Sequence, residues 1–166
     1  MIDIHKLSKK YDVHKMDDSD VDIILNLCHG NPQFYKYCEA NPTKEQILND
    51  LHIAPPNTAI TDKYYVGFYD SNTLVAVMDL IDGYPNTETA FIGFFMMNAE
   101  YQGKQIGTAI INEVAEYLKS IDKVSIQLAI DKDNPQSNHF WNKNGFIVIK
   151  EVDRNGWTVL LAEKTL

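Results

Sequence analysis

The sequence predicts an α/β (mixed α+β) protein that forms a single domain. Its central sheet is twisted, contains six to seven parallel and antiparallel strands, and is flanked by about four to five helices. Three observations predict it. Helical patterning fills the first sixty residues, β-rich runs with hairpin turns follow, and a strand–helix–strand unit spans residues 90–130. The length of 166 residues and the hydrophobic content of 45% suit one core. We therefore expect a single domain over residues 1–166.

The charge composition narrows the function classes. Fifteen Lys and Arg against 23 Asp and Glu give a net charge of −8, which argues against a nucleic-acid-binding protein. An anionic ligand would need a local positive site, whereas a cationic ligand suits the overall charge. The sequence has no apolar run of 18 residues that could span a membrane and no apolar core of a signal peptide. The two cysteines, Cys28 and Cys38, are more typical of free thiols in a reducing compartment than of a disulfide. We expect a cytoplasmic protein without a nucleic-acid or membrane partner.

Helix signals dominate the first sixty residues. A short strand over Tyr11–Met16 precedes a helix over Val21–Cys28, for which the preceding acids supply caps. Asn31–Pro32 opens a second helical turn, and Thr43–Gln46 is a capping box ahead of an apolar run. The breaker Pro55–Pro56 ends this part of the chain.

Strand signals follow. Tyr64–Tyr69 and Leu74–Ile81 are β-rich runs, and the turn residues 70–73 between them are typical of a hairpin. A loop over Gly83–Thr87 leads to a third run, Ala90–Met97. These three runs predict neighbouring strands in one sheet.

A helix then crosses over to another strand. Apolar residues recur at helical spacing over Lys104–Ser120 and alternate with polar residues over Val124–Ile130. Such a crossover makes the second strand parallel to Ala90–Met97. A short helix is predicted over Asn134–Lys143. Two further runs, which turn at residues 153–156, close the chain as a hairpin: Phe146–Val152 and Trp157–Ala162.

The segment that joins the third run to the crossover helix carries the clearest chemical signal. Tyr101–Thr108 contains two glycines, which let the backbone approach a ligand, and the unpaired N–H groups of a first helical turn. These groups, the helix dipole and Lys104 favour a phosphate. An ordinary strand-to-helix turn with a glycine for close packing explains the same spacing equally well. The Rossmann and Walker A patterns are absent.

This segment resembles the motif Gln/Arg-x-x-Gly-x-Gly/Ala of the GCN5-related N-acetyltransferase (GNAT) superfamily, which lies between that family's fourth strand and third helix. The matching residues are Gln102, Gly103, Lys104, Gln105, Ile106 and Gly107. The most common form of the family motif has glycine at the position of Gln105. The backbone N–H of Gln105 can still bind a phosphate if its side chain points away. Asn134–Phe146 resembles the family's fourth helix and following strand. The resemblance covers Tyr64–Val152.

The resemblance implies acetyl-CoA as co-substrate. The histidines and cysteines show no zinc-site spacing, so we expect no metal. The implied cofactor-binding residues of this segment are Gln102, Gly103, Lys104, Gln105, Ile106, Gly107 and Thr108. The pyrophosphate would bind the N–H groups of Gly103, Gln105, Gly107 and Thr108. The pantetheine arm would pair like a strand with the backbone of Phe95, Met96 and Met97. Its other side would be flanked by Asn134, Ser137 and Phe140. Gly93 would mark a bulge that splays this strand from its parallel neighbour.

The reaction that the resemblance implies is direct transfer of the acetyl group to a primary amine of a small molecule or peptide. Backbone N–H groups, here that of Phe95, would stabilise the oxyanion. Candidate bases are Glu88, our first choice, Asp79 and Asp82, although a solvated surface charge explains any one of them as well. Many family members use a tyrosine as the general acid, whereas this sequence has Trp141, whose indole N–H is no acid near neutral pH.

Two functions stay open at this point. One is an amine acetyltransferase. The acidic composition of the chain favours a cationic acceptor for it. The other is a non-catalytic acyl-CoA-binding or sensing module on the same fold, which Gln105 and Trp141 favour.

The single domain divides into three parts. The acceptor side would be formed by residues 1–60, including the aromatic residues of 34–37. The acetyl-CoA-binding core would be residues 64–152, and the closing strand residues 157–166. A monomer and a homodimer are both compatible with the sequence.

Overall fold

A computed structural model describes residues 1–154 and 156–166 of the chain, and it arranges them as one sheet with helices packed on both faces. The strands are β1 (Asp12–Lys15), β2 (Lys63–Asp70), β3 (Thr73–Asp82), β4 (Thr89–Met97), β5 (Ser125–Asp131), β6 (Ile147–Arg154) and β7 (Trp157–Thr165). The α-helices are α1 (Val21–His29), α2 (Pro32–Tyr35), α3 (Lys44–His52), α4 (Ile106–Ser120) and α5 (Pro135–Lys143). Short 3-10 helices lie at Ile4–Lys6, Asp18–Asp20, Ile60–Asp62 and Ala99–Tyr101.

The sheet has the order β1-β2-β3-β4-β5-β7-β6. Strands β4 and β5 run parallel, as the crossover through α4 predicts, and the other neighbours pair antiparallel. The predicted mixed α/β domain of six to seven strands and four to five helices is confirmed, with seven strands and five α-helices among the described residues. The turn predicted at residues 153–156 includes Asn155, which lies outside the described residues.

Helix α3 begins at its predicted capping box. The hydroxyl of Thr43 accepts a hydrogen bond from the backbone N–H of Gln46, and the side-chain oxygen of Gln46 accepts one from the N–H of Thr43, both at 3.2 Å. The pair satisfies two of the N–H groups that the start of a helix leaves without partners.

Helix α4 begins two residues later than the sequence pattern predicts. Gln105 has a φ of 61° and Gly103 a φ of 71°, and a right-handed helix cannot include residues in this left-handed conformation. The helix therefore starts at Ile106 instead of Lys104, and the preceding residues form an irregular turn.

A bulge in β4 separates this strand from β5. Asp79 of β3 pairs with Phe94, and the next residue, Leu80, pairs with Ile92, so Gly93 has no partner in β3. On its other side β4 pairs with β5 only along Thr89–Ile92. Because β4 changes direction at Gly93, the two parallel strands part beyond it.

The apolar core lies in two layers, one on each face of the sheet. One layer packs beneath α4, whose Ile110, Ile111 and Leu118 are fully buried. The other packs beneath α1 and α3, around Ile24 and Val77. None of the helices in the described part of the chain is long and apolar enough to cross a membrane.

Candidate active site

Beyond the bulge, the gap between β4 and β5 opens a cleft of about 380 Å³. Its walls are the second half of β4, the turn before α4 with the first turn of that helix, the end of β5, and one side of α5. Among the described residues, the edge of β4 that faces β5 has no strand partner after Ile92. Its backbone groups are therefore available to an extended ligand that carries amides.

The turn before α4, residues 102–105, presents a row of unpaired N–H groups with the first helical turn. Within the described residues, the backbone N–H groups from Gly103 to Thr108 donate to no other protein group, and the first such bond is from Ala109 to the carbonyl of Gln105 at 3.0 Å. Left-handed residues at alternate positions, here Gly103 and Gln105, make such a row concave. With the positive end of the helix dipole behind it, this row suits a phosphate group.

The side chain of Gln105 is directed to α5. Its Oε1 accepts a hydrogen bond from Nζ of Lys143 at 2.9 Å, while its backbone N–H stays free. Lys143 and His139 line the cleft near this turn. Lys104 does not line it, because its Nζ bonds the carbonyl of Glu100 at 2.9 Å on the protein surface.

Gln102 ties the turn to α1 and β4. Its Nε2 donates to Oδ1 of Asn31 at 2.5 Å and to the carbonyl of Met97 at 3.3 Å. Asn31 is buried, and its Nδ2 bonds the carbonyls of Leu27 and Met97. Asn31 thus fixes the place of the turn relative to β4. No local sequence pattern predicts this role, because the two residues lie 71 positions apart in the chain.

Aromatic rings form the wall of the cleft beneath α5. The ring of Phe140 stacks on Phe95 with centroids 6.0 Å apart and meets Trp141 edge-on at 4.9 Å. A Cβ at Gly107 would lie 3.2 Å from Phe140, so glycine allows the first turn of α4 to contact α5 closely. Trp141 is buried between Phe95 and Phe146. Its ring is part of the apolar core.

Most predicted ligand residues lie together in the cleft. Those that line it are Phe95, Met96, Met97, Gln102, Gly103, Gln105, Ile106, Gly107, Thr108, Ser137 and Phe140. Two predicted ligand residues, Lys104 and Asn134, do not line the cleft. Asn134 has a different role. Its Oδ1 accepts from the N–H of Ser137 at 3.1 Å, which caps α5, and its Nδ2 is buried without a partner within the described chain. Asn134 therefore supports the wall through Ser137.

The structure places Glu88, the first-choice base, away from the cleft. It precedes the first residue of β4, whereas the cleft opens beyond Gly93 in the second half of the strand, and it is exposed. Its carbonyl accepts from the N–H of Val124 at 2.8 Å. Asp82 lies at the same end, paired with Ala90 across the strands and ion-paired with Lys123. Neither carboxylate lines the cleft.

Asp79 does not line the cleft either, but it is the one of the three candidate bases that adjoins the bulge, at Gly93. It is buried, and its Oδ2 lies 2.5 Å from Nζ of Lys63, which is also buried. Burial raises the pKa of Asp79 above its usual range, and the Lys63 ammonium opposes that rise.

A second cavity, of about 300 Å³, adjoins the cleft between the sheet and α1–α3. We call it the aromatic cavity, because its walls include Phe34, Tyr35, Tyr65 and Phe94. Phe34 and Phe94 line the cleft too, with their rings 6.2 Å apart edge-on. Two carboxylates, Glu39 and Asp50, belong to the aromatic cavity, and its lining among the described residues contains no Lys or Arg.

Burial and neighbouring charges act on the titratable groups around the aromatic cavity. Loss of solvent raises the pKa of Asp50, against the lowering effect of Lys63, and burial raises the pKa of the Tyr35 hydroxyl. The case for a positive charge in the cavity rests on its lining, which combines aromatic rings with the carboxylates of Glu39 and Asp50. Among the described residues, no group of three His, Cys, Asp or Glu side chains is arranged to hold a metal ion.

Comparison with known proteins gives a consistent result. The profile of the Acetyltransferase (GNAT) family matches residues 29–146, whereas no curated protein matches the chain. An acetyltransferase structure from Thermus thermophilus superposes with a TM-score of 0.74 at 20% identity, covering 95% of this chain and 97% of that one. PaiA N-acetyltransferase from Thermoplasma acidophilum, in complex with coenzyme A, gives 0.67 at 19% identity, covering 93% and 98%. The acetyltransferase from Salmonella typhimurium that modifies the N-terminal serine of ribosomal protein L7/L12 gives 0.71 at 16% identity, covering 96% and 97%. At these identities the superpositions establish the fold.

Proposed function

Since the chain belongs to the GNAT acetyltransferase family, we propose that it binds acetyl-CoA in the cleft and transfers the acetyl group directly to a primary amine. The observation that carries this proposal is that two backbone features lie in the same cleft. The row of free N–H groups from Gly103 to Thr108 lies at one end, and the unpaired edge of β4 beyond Gly93 forms one side.

The backbone suits the two chemically different parts of CoA. The pyrophosphate would bind the N–H row, with Lys143 and His139 as nearby donors. The amide-bearing pantetheine arm would pair with the backbone of Phe95 and Met96. The carbonyl of Met97 already accepts hydrogen bonds from Asn31 and Gln102, so the arm would use the strand before this carbonyl. A local row of dipoles thus explains how a protein of net charge −8 holds an anion.

The aromatic cavity supports an amine as the acceptor. It meets the cleft at Phe34 and Phe94, so an amine held in it would face the place where β4 parts from β5. Its rings and the carboxylates of Glu39 and Asp50 favour a cation. This agrees with residues 1–60 as the acceptor side and residues 64–152 as the acetyl-CoA-binding core.

The chemistry at the junction needs oxyanion stabilisation and a good leaving group. Phe95 lines the cleft two residues after the bulge, and its N–H is the proposed donor to the carbonyl oxygen of the thioester. Trp141 cannot protonate the departing sulfur. With a thiol pKa of about 8.5, a thiolate leaves without an acid and takes its proton from solvent.

A non-catalytic acyl-CoA-binding or sensing module is the second candidate. The buried Trp141 at the usual acid position favours it. Both functions require CoA to bind in the cleft, and they differ in whether an amine-dependent thiol is released.

One experiment separates these functions. At a hundredfold excess over its Kd, CoA should stabilise the protein by about 2.7 kcal/mol, which raises the Tm by roughly 5–10 °C for a chain of this size. Acetyl-CoA with a panel of polyamines, amino acids, aminoglycosides and peptides should then release free thiol with at least one amine. CoA binding without thiol release on any amine would support the sensing module, and no stabilisation by CoA would contradict both.

Two variants test the place of the phosphate. Gly107→Trp inserts a ring where a Cβ already meets Phe140 at 3.2 Å and Met97 at 3.5 Å, so we expect the CoA-induced Tm rise to disappear. Ala109→Trp is the matched control, because Ala109 is exposed on the same helix and does not line the cleft. It should keep the full rise. A folded Gly107→Trp protein that still binds CoA normally would show that the phosphate site is misplaced.

A further inference from the structure

A buried carboxylate lies between two residues that line the aromatic cavity. The register of β2, β3 and β4 pairs Asp79 with Tyr65 on one side and with Phe94 on the other. Residues paired across antiparallel strands direct their side chains to the same face of the sheet. Since Tyr65 and Phe94 both line the aromatic cavity, Asp79 belongs to the face on which this cavity lies.

The bulge brings the same carboxylate to the cleft. A Cβ at Gly93 would lie only 2.7 Å from Oδ2 of Asp79, and Gly93 itself is exposed and lines the cleft. Glycine at this position lets the carboxylate approach the backbone at the point where β4 parts from β5. Asp79 lines neither cavity itself, but it lies directly behind Gly93 of the cleft and between Tyr65 and Phe94 of the aromatic cavity.

The two oxygens of Asp79 have different surroundings. Oδ2 is held by Lys63, whose side chain is 3% exposed, whereas Oδ1 is buried and has no hydrogen-bond partner within the described chain. Besides Lys63, the charged group that acts on Asp79 is Asp50 of α3, and Tyr65 is the titratable neighbour on β2. A carboxylate that is buried and incompletely satisfied accepts a proton more readily than a solvated one.

We propose that the carboxylate of Asp79 accepts the proton that the acceptor ammonium loses, an assignment that rests on the function proposed above. Lys63 is the residue that positions this carboxylate. The ammonium gives one proton to Asp79, and the lone pair of the amine then forms the N–C bond with the thioester carbonyl. The C–S bond breaks as the tetrahedral intermediate collapses. The second N–H proton passes through solvent to the thiolate, and Asp79 returns its proton to solvent.

The Asp79→Asn variant tests this assignment, because it keeps the size of the side chain and removes proton acceptance. With an amine that releases thiol in the wild-type assay, we expect kcat to fall about 10²–10³-fold at pH 7. The CoA-induced Tm rise should be unchanged. The remaining rate should increase about tenfold per pH unit below the amine pKa, because only free amine already in solution reacts. The wild-type rate should level off once Asp79 is ionised.

Asp82→Asn is the matched control. Asp82 lies on the same strand and forms a largely buried ion pair with Lys123, but it lies at the end of β3 away from the bulge. We expect Asp82→Asn to keep the wild-type pH profile. A wild-type kcat at pH 7 in Asp79→Asn, or a loss of equal size at every pH, would overturn the assignment.

A second variant covers the case in which Asp79→Asn does not fold. Gly93→Ala places its Cβ against Oδ2 of Asp79, so it should displace the carboxylate and give the same pH-dependent loss of kcat. A folded Gly93→Ala protein with the wild-type profile would contradict the proposal. Failure of the wild-type protein to release thiol with any amine is a separate result, which overturns the proposed function and this assignment with it.

Discussion

Nζ of Lys143 donates a hydrogen bond to Oε1 of Gln105 at 2.9 Å and so joins the end of α5 to the start of α4 across the cleft. Gln105 occupies a position where the commonest spelling of the family motif has glycine, and its φ of 61° explains that preference. The contact with Lys143 holds the longer side chain away from the free backbone N–H groups. The turn therefore keeps its row of free N–H groups with a glutamine at this position.

Gln105→Gly should stabilise the protein. Glycine adopts a positive φ without the steric cost that Gln105 bears, about 1 kcal/mol, so we expect the Tm to rise by roughly 2–4 °C. The measurement is thermal unfolding followed by circular dichroism.

Gln105→Ala is the control for that gain. It removes the contact with Lys143 in the same way but keeps a Cβ at the left-handed position, so its Tm should not rise. Equal stability of the Gly and Ala variants would mean that the backbone conformation at residue 105 carries no cost.

The thiol of Cys38 should be unreactive at neutral pH. Burial, together with the nearby carboxylate of Asp131, raises the pKa of Cys38 to about 12. The thiolate fraction at pH 8 is then roughly a thousandfold below that of a thiol with a pKa of 9. Alkylation by iodoacetamide, mapped by mass spectrometry, should be slower than for an unfolded control by a similar factor.

The same shift gives an alkaline limit to stability. A thiol whose pKa is higher in the folded than in the unfolded state contributes stability below the unfolded value of 9.0, and loses it as the pH rises toward about 12. We expect the free energy of unfolding to fall over this range. Cys38→Ser should flatten that fall, and an identical pH dependence in the two proteins would contradict the assignment.

Much of the fold follows from local sequence patterns. The capping box at Thr43–Gln46 marks the start of α3, and the crossover over 90–130 requires β4 and β5 to be parallel. The glycines of 103–107 indicate a backbone anion site. Each of these inferences depends on residues close together in the chain, where conformational preference decides the outcome.

The catalytic side of the site depends on register, which sequence patterns do not give. Glu88 and Asp79 are both candidate bases by sequence. The pairing of β3 with β4 places Asp79 beside Gly93, whereas Glu88 precedes the first residue of β4. Likewise, the bond from Gln102 to Asn31 exists because α1 packs beside the end of β4. Such contacts arise only once distant elements have come together.

The aromatic cavity should discriminate between amines by charge. Asp50 and Glu39 line it, and the described part of the lining has no basic residue. An amine that carries a second positive charge should therefore react better than a neutral-tailed amine of the same length. We expect Asp50→Asn to lower kcat/KM for a diamine by about three- to tenfold, because a partly solvated ion pair contributes roughly 1 kcal/mol.

The decisive measurement is the ratio of kcat/KM for a diamine to that for a monoamine of equal length. Asp50→Asn should reduce this ratio, whereas Glu45→Gln should not, because Glu45 is exposed on the same helix α3 and does not line the cavity. An equal loss for both amines would assign Asp50 to the structure of the site instead of to charge recognition. An unchanged ratio with unchanged rates would remove the aromatic cavity as the place where the second charge binds.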